Sequence, residues 1–296
     1  MLVTMKEILD KAKEGKYGVT APNIIDFRSV DAAIKAAENK KSPVILDAVF
    51  EHDVDMRRFI NYAAEKAKEA KVPVAINLDH GGAYEDIIKA LAMDFTSVMV
   101  DRSFKSFDEN VKEVSEIVKV AHALGKSVEA ELGHVGSNVD SDSDATGHNA
   151  VIATDEERKK TLTRVDEAVE FVKLTNVDCL AVAIGTVHGL YPKGFEPKIE
   201  FELLHELNEK LDIPLVVHGG SGSGDDNLAK MCREGINKVN ICNDLLKKGR
   251  EYIAEGIKPE NETMMQKLAQ PLPSYYQGYT DMLEHYMDLL GCSGKA

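Results

Sequence analysis

Eight short apolar runs rich in β-branched residues recur along this 296-residue chain, each separated from the next by a stretch of helical periodicity. Few folds accommodate that alternation. The runs are YGVTAPNI (17–24), PVILDAVF (43–50), VPVAINLD (72–79), SVMVD (97–101), SVEAELG (127–133), CLAVAIG (179–185), IPLVVHG (213–219) and KVNICN (238–243). Most are apolar almost throughout, as parallel strands covered on both faces should be. Amphipathic segments such as VDAAIKAAENK and ENVKEVSEIVKVAHALG lie between them, several closing on a Gly or Lys as helix ends do. With neither repeat nor linker, the pattern predicts an α/β fold, a (β/α)8 TIM barrel spanning residues 1–296 as one domain. A doubly wound sheet is the alternative, but no GxGxxG follows the first run, and the unusual polar residues spread over many strand ends.

Two segments depart from the rhythm. Residues 134–160 form an overlong polar loop after the fifth strand, a length that usually marks a lid or a mobile functional segment. Beyond residue 255, YYQGYTDMLEHYMDLLG predicts a C-terminal helical extension that closes the barrel or packs against a second subunit.

Charge and composition narrow the partners. The net charge of −14, from 50 acidic and 36 basic side chains, argues against nucleic acid and against anionic membranes. A small phosphorylated molecule stays compatible, because backbone N–H groups can hold a phosphate locally. No apolar run approaches the roughly 20 residues of a membrane span. Cys179, Cys232, Cys242 and Cys292 show no CxxC spacing and read as free thiols in a reducing cytoplasm. The first residues, MLVTMKEILDKAKEGK, carry acidic side chains and do not read as a signal peptide.

The polar residues at the strand C-termini carry the chemistry. LDHGG supplies Asp79 and His80, GTVHG supplies His188, and VHGGSG supplies His218. In a (β/α)8 barrel these ends open on one face, so residues distant in sequence converge there. Three histidines with an open fourth position suit a catalytic zinc ion, which can polarise a carbonyl. Asp79 is placed to act as general acid and base, although neighbours on a strand start on opposite faces. HGGSG, with Gly219, Gly220 and Ser221, follows a strand and precedes a helix beginning near Asp225, a setting in which N–H groups cradle a phosphate. Asn240 and Asn243 on the eighth strand, with Asn23 near the start, join the candidate substrate ligands. Asp101 and Glu131 end strands four and five, where they could hold a second cation position or accept hydrogen bonds from the metal histidines. The other six histidines, His52, His122, His134, His148, His205 and His285, fall on helices or loops and read as surface residues.

At these residues the chain resembles the class II, zinc-dependent fructose-bisphosphate and tagatose-bisphosphate aldolases. The resemblance runs nearly end to end through APNI, LDHGG, SVMVD, VEAELG, AVAIGTVHGLY, HGGSG and KVNI. It implies zinc on His80, His188 and His218, proton transfer at the C4 oxygen by Asp79, and an alternate metal position at Asp101 and Glu131. It also implies that Gly189, Gly219 and Ser221 hold the C1 phosphate and a monovalent cation (Na⁺ or K⁺), that Asn240 touches the dihydroxyacetone moiety, and that the protein is a homodimer or homotetramer. The chain departs from the family at several places. Where the family's loop reads GGxED after VEAELG, this chain reads GHVGSNVDSD, with Val139 at the Glu and Asp140, Asp142 or Asp144 as substitutes. Asn243 stands for a Thr or Ser on strand eight, Asp47 and Val49 for a Gln and a Ser on strand two, and Arg102 for a small residue.

The expected activity is therefore retro-aldol cleavage of a phosphorylated ketose to dihydroxyacetone phosphate and an aldehyde. A shifted substrate, such as a ketose monophosphate, or a non-catalytic barrel that binds a metal or sugar phosphate is the alternative. A metal-dependent hydrolase would commonly carry an HxH pair on the first strand, and none is present.

Overall fold

The computed structural model describes residues 1–50, 55–135, 159–189, 191, 197–256 and 271–296. The strands are β1 (Val19–Pro22), β2 (Val44–Val49), β3 (Val74–Gly81), β4 (Ser97–Val100), β5 (Ser127–Leu132), β6 (Cys179–Val182), β7 (Leu215–Val217) and β8 (Ile236–Ile241). They form one eight-stranded sheet in the order β1-β8-β7-β6-β5-β4-β3-β2. Every pairing is parallel, from β1 with β8 round to β2 with β3. The two ends of that order meet at a parallel bridge between Asn23 and Asp47, where Ile24 N–H donates to Asp47 O at 2.8 Å. The sheet is a TIM barrel with a short seam at its C-terminal rim. Pairing of first strand with last excludes the doubly wound alternative.

The helices are α1 (Met5–Gly15), α2 (Phe27–Lys40), α3 (Met56–Glu69), α4 (Tyr84–Leu91), α5 (Phe107–Ala123), α6 (Val165–Thr175), α7 (Phe201–Lys210), α8 (Asp225–Glu234), α9 (Asn243–Gly256) and α10 (Pro271–Leu289). Their starts are written locally: the Thr4, Asp26 and Ser106 side chains each accept from the N–H of the third residue of the helix, and their own backbone N–H donates to that residue's side chain, satisfying orphan N–H groups. Faces are written too, with Val30, Ala33, Ile34 and Ala37 of α2 buried at helical spacing. One expectation needs correction: β8 ends at Ile241, so Asn243 is the first residue of α9 and not part of the strand. The candidate lid residues 136–158, with Asp140, Asp142 and Asp144, lie outside the described residues.

The C-terminal helix takes the closing role. α10 packs on α2, α9 and β1, burying Tyr279, Leu283, Tyr286 and Met287. Tyr279 is fully buried, and its hydroxyl donates to Asn23 O at 3.0 Å, beside the seam. Packing and hydrogen bond can be separated. Tyr279→Phe should cost about 1 kcal/mol, and Tyr279→Ala about 3–5 kcal/mol through the cavity it leaves. Urea unfolding midpoints measure both.

Candidate active site and metal centre

His80 stands at the end of β3 with φ 49°, a left-handed conformation unusual for a side chain this size. The β3–β4 register shifts between Leu78 and Gly81, at the same place. This irregularity overturns strict alternation, so Asp79 and His80 both face the mouth, with His80 Nε2 3.9 Å from Asp79 Oδ1. His188 follows β6 and His218 follows β7. Ring centroids of the three histidines lie 4.9–5.6 Å apart, and one nitrogen from each falls within 4.8 Å of the others. His218 Nδ1 is 3.2 Å from His80 Nε2. A tetrahedral zinc with Zn–N bonds near 2.05 Å needs ligand atoms about 3.3 Å apart, so the pair is already at ligating separation.

The outward nitrogens of His218 and His80 face carboxylates, an arrangement that orients rings for metal binding. His218 Nε2 lies 2.8 Å from Glu129 Oε1, both fully buried. His80 Nδ1 faces Asp101 Oδ2 at 3.6 Å, and Ser103 N–H steadies that carboxylate at 2.9 Å. Burial alone would lower the His80 pKa. Asp79, Asp101 and Glu131 outweigh it and push the metal-free imidazole up to about 10. Glu131 is held well above the usual carboxylate range by burial and by Asp101; Val135 N–H donates to its Oε1, and its Oε2 is buried without a hydrogen bond.

Asp79 is buried, yet it stays ionised. Burial raises its pKa, but His80, His218, Lys238 and a hydrogen bond from Asn23 together pull it down to about 2. Asn23 Nδ2 donates to one oxygen at 2.9 Å and Asn240 Nδ2 to the other at 3.1 Å. Asn23 stands on the seam bridge and Asn240 on β8 pairs with Ala21 of β1, so closure of the sheet through β1 brings both to Asp79.

Beneath this floor lies a layer the sequence reading missed. Lys238 on β8 is fully buried; its ammonium donates to Asn240 Oδ1 at 2.7 Å. It meets Glu129 Oε2 at 2.9 Å and Asp47 Oδ2 at 3.3 Å as charge contacts. Asn77 Nδ2 donates to the other Asp47 oxygen at 2.9 Å. Burial raises the Asp47 pKa, with Lys238 opposing, while Lys238 and His218 hold Glu129 below its ordinary value against burial. The signal was present in period 2: Asn77 and Asp79, Glu129 and Glu131, and Lys238 and Asn240 each stand two apart, on one face of a strand.

The remaining candidates line the same cavity of about 430 Å³: Asn23, Gly189, Gly219, Gly220, Ser221, Asn240 and Asn243, together with Asp79 and the three histidines. Asp101 and Glu131 stand behind His80. Gly219 has φ 69°, and a Cβ there would meet Val187 O at 2.4 Å; one on Gly220 would meet Asn240 O at 2.7 Å. The loop is therefore closely confined and follows β7 directly. Ser221 Oγ accepts from Cys242 and Asp244 N–H groups at 3.2 and 3.3 Å, tying the loop to the start of α9. Of the other histidines, His122 pairs with Asp178 at 2.9 Å and His134 lies 3.2 Å from Ser103 Oγ, while His205 and His285 sit exposed on helices. His52 and His148 lie outside the described residues. All four cysteines are free.

Comparison with known proteins decides the family. The family described as fructose-bisphosphate aldolase class-II matches residues 3–295. The chain belongs to the class II fructose-bisphosphate aldolase family. It is thus a carbon–carbon lyase. It is 40% identical to the fructose-bisphosphate aldolase of Geobacillus stearothermophilus over 245 residues, covering 81% of this chain and 80% of that one. Identity to the Thermus caldophilus fructose-bisphosphate aldolase is 35% over the full length of both. The crystal structure of the YdjI aldolase from Escherichia coli K12 superposes with a TM-score of 0.83 at 29% identity, covering all of both chains. No helix among the described residues is long and apolar enough to cross a membrane.

Removing the buried cation from this aldolase should expose its importance. Lys238→Met leaves Glu129 and Asp47 in the barrel without a counter-charge, and should cost about 3–5 kcal/mol of stability. Urea denaturation with linear extrapolation measures the loss.

Proposed function

We propose that this chain is a zinc-dependent aldolase that cleaves a phosphorylated ketose to dihydroxyacetone phosphate and an aldehyde. What carries the reading is a three-histidine cluster, its nitrogens within 4.8 Å of one another and the His80–His218 pair at ligating separation, beside an ionised, doubly hydrogen-bonded Asp79. His80, His188 and His218 would hold the metal, whose chemistry is that of a Lewis acid polarising the ketose carbonyl. Asp79, present as carboxylate, takes the C4 hydroxyl proton as the C3–C4 bond breaks, and the bonding pair stays on C3. Asn23 and Asn240 hold that carboxylate in position, and Asn240 also reaches the dihydroxyacetone part of the substrate. The confined loop at Gly219, Gly220 and Ser221, with Gly189 and Asn243, takes the C1 phosphate, and a monovalent cation at the same loop belongs to this reading. Asp101 and Glu131 offer the alternate metal position. Asp140 is proposed as the residue that moves the C3 proton, on its place in the chain after VEAELG. The family comparison supports the phosphorylated-sugar class, and the active form is proposed to be a homodimer or homotetramer.

Metal analysis of the purified protein should find zinc, and His188→Ala should lose it along with activity. Asp79→Asn should keep the zinc while lowering kcat by about 10²–10⁴-fold, read by coupled detection of dihydroxyacetone phosphate. A zinc-loaded wild type that releases no dihydroxyacetone phosphate from ketose mono- and bisphosphates would overturn the proposal.

A further inference from the structure

Two arcs of the barrel rim line the cavity, and they differ in chemistry. From β6 round to β8 the wall is polar and rich in backbone donors, with Gly189, Gly219, Gly220, Ser221 and Asn243. From β1 to α3 it is built from Ile24, Ile25, Val49, Phe50, Met56 and Phe59, with the Asn23 carboxamide beside them already donating to Asp79. No Lys, Arg or side-chain hydroxyl stands among the described residues of that second arc. Ile24, Met56 and Phe59, 4–6% exposed, all line the cavity.

Among the described residues, the charged groups nearest this arc are already engaged. The N-terminus of α3, which could otherwise bind an anion, already holds the Asp55 carboxylate on Arg58 N–H at 3.1 Å. Arg58 lays its guanidinium over Phe27, 5.9 Å from the ring centroid. Lys89, 5.8 Å from the Phe50 ring, is held by Asp86 at 2.8 Å. A dianion pressed against these side chains would lose water without gaining hydrogen bonds, whereas an alkyl group would gain burial.

The apolar arc borders Asp79, because β2 pairs with β3 and Val49 is the register partner of Asp79. With the phosphate on the loop that follows β7 and the C4 oxygen at Asp79, the carbons beyond C4 run along Val49, Phe50, Met56 and Phe59. We propose that the aldehyde released by this enzyme carries no phosphate and ends in an apolar group, so that the substrate is a ketose 1-phosphate and not a ketose bisphosphate. This rests on the aldolase reading above. The reaction balances as before: the C3–C4 bond breaks, its electron pair stays on C3, and the C4 hydroxyl proton passes to Asp79.

The synthetic direction tests it with the zinc-loaded full chain. Dihydroxyacetone phosphate is offered with lactaldehyde, glyceraldehyde or glyceraldehyde 3-phosphate, and kcat/KM is measured for each. Lactaldehyde, whose terminus is a methyl group, should exceed glyceraldehyde 3-phosphate by at least about tenfold, the discrimination a single apolar contact supplies. Val49→Ser should narrow that ratio through the KM for lactaldehyde. Preference for glyceraldehyde 3-phosphate would overturn this inference and leave the aldolase reading standing. Failure to condense any aldehyde, together with failure to exchange the dihydroxyacetone phosphate C3 proton with deuterated solvent, would overturn both.

Discussion

The Lys238 ammonium lies inside the barrel with no exposed surface, within 3.3 Å of two carboxylates and a carboxamide oxygen. Each of those partners reaches upward. Glu129 orients His218, Asn240 orients Asp79, and Asp47 lies on the strand that closes the seam. A charge desolvated this far persists only where its partners are fixed. The same fixation sets the direction of the His218 ring and of the Asp79 carboxylate. Rigidity of the floor and geometry of the site are one property here, because they share the same hydrogen bonds.

The seam makes a second contribution. A barrel closed by one bridge at its rim concentrates its least repetitive backbone where the chemistry occurs. Asn23 stands on that bridge, donates to Asp79, and has its own carbonyl bound by Tyr279 from α10. A helix remote in sequence thus steadies an active-site carboxylate through one intermediate residue. His80 adds local strain, since a left-handed residue of this type costs roughly 1–2 kcal/mol. That conformation is what allows consecutive residues of β3 to serve one site.

Much of the barrel was legible because it is repetitive. Eight apolar runs, separated by amphipathic segments, leave few closed arrangements, and strand-end polar residues must then converge. The three clustered histidines were legible because each stands at or beyond the C-terminal end of a strand, His80 at the end of β3, His218 directly after β7 and His188 past β6. Three kinds of information were not. The buried layer of Asp47, Asn77, Glu129 and Lys238 is written in period 2 within runs that read as apolar, so single polar residues passed as interruptions. The turn at His80 depends on a register shift with β4, a non-local pairing no window of sequence contains. The end of β8 was placed two residues late because Cys242 and Asn243 continue its composition while the backbone has already begun α9.

Pairing of β1 with β8 also has a consequence for the order in which the protein comes into being. Residues 19–22 leave the ribosome long before residues 236–241, which they must join. At about 5–20 residues per second, β1 waits on the order of ten seconds or more for its partner, and Asn23 waits longer still for Tyr279. Until then the arc of strands has two open edges, each able to accept a stray strand. The Asp79 carboxylate therefore gains its Asn240 hydrogen bond only once β8 has been made, and a nascent chain stalled before α10 would still lack the Tyr279 hydroxyl that steadies Asn23.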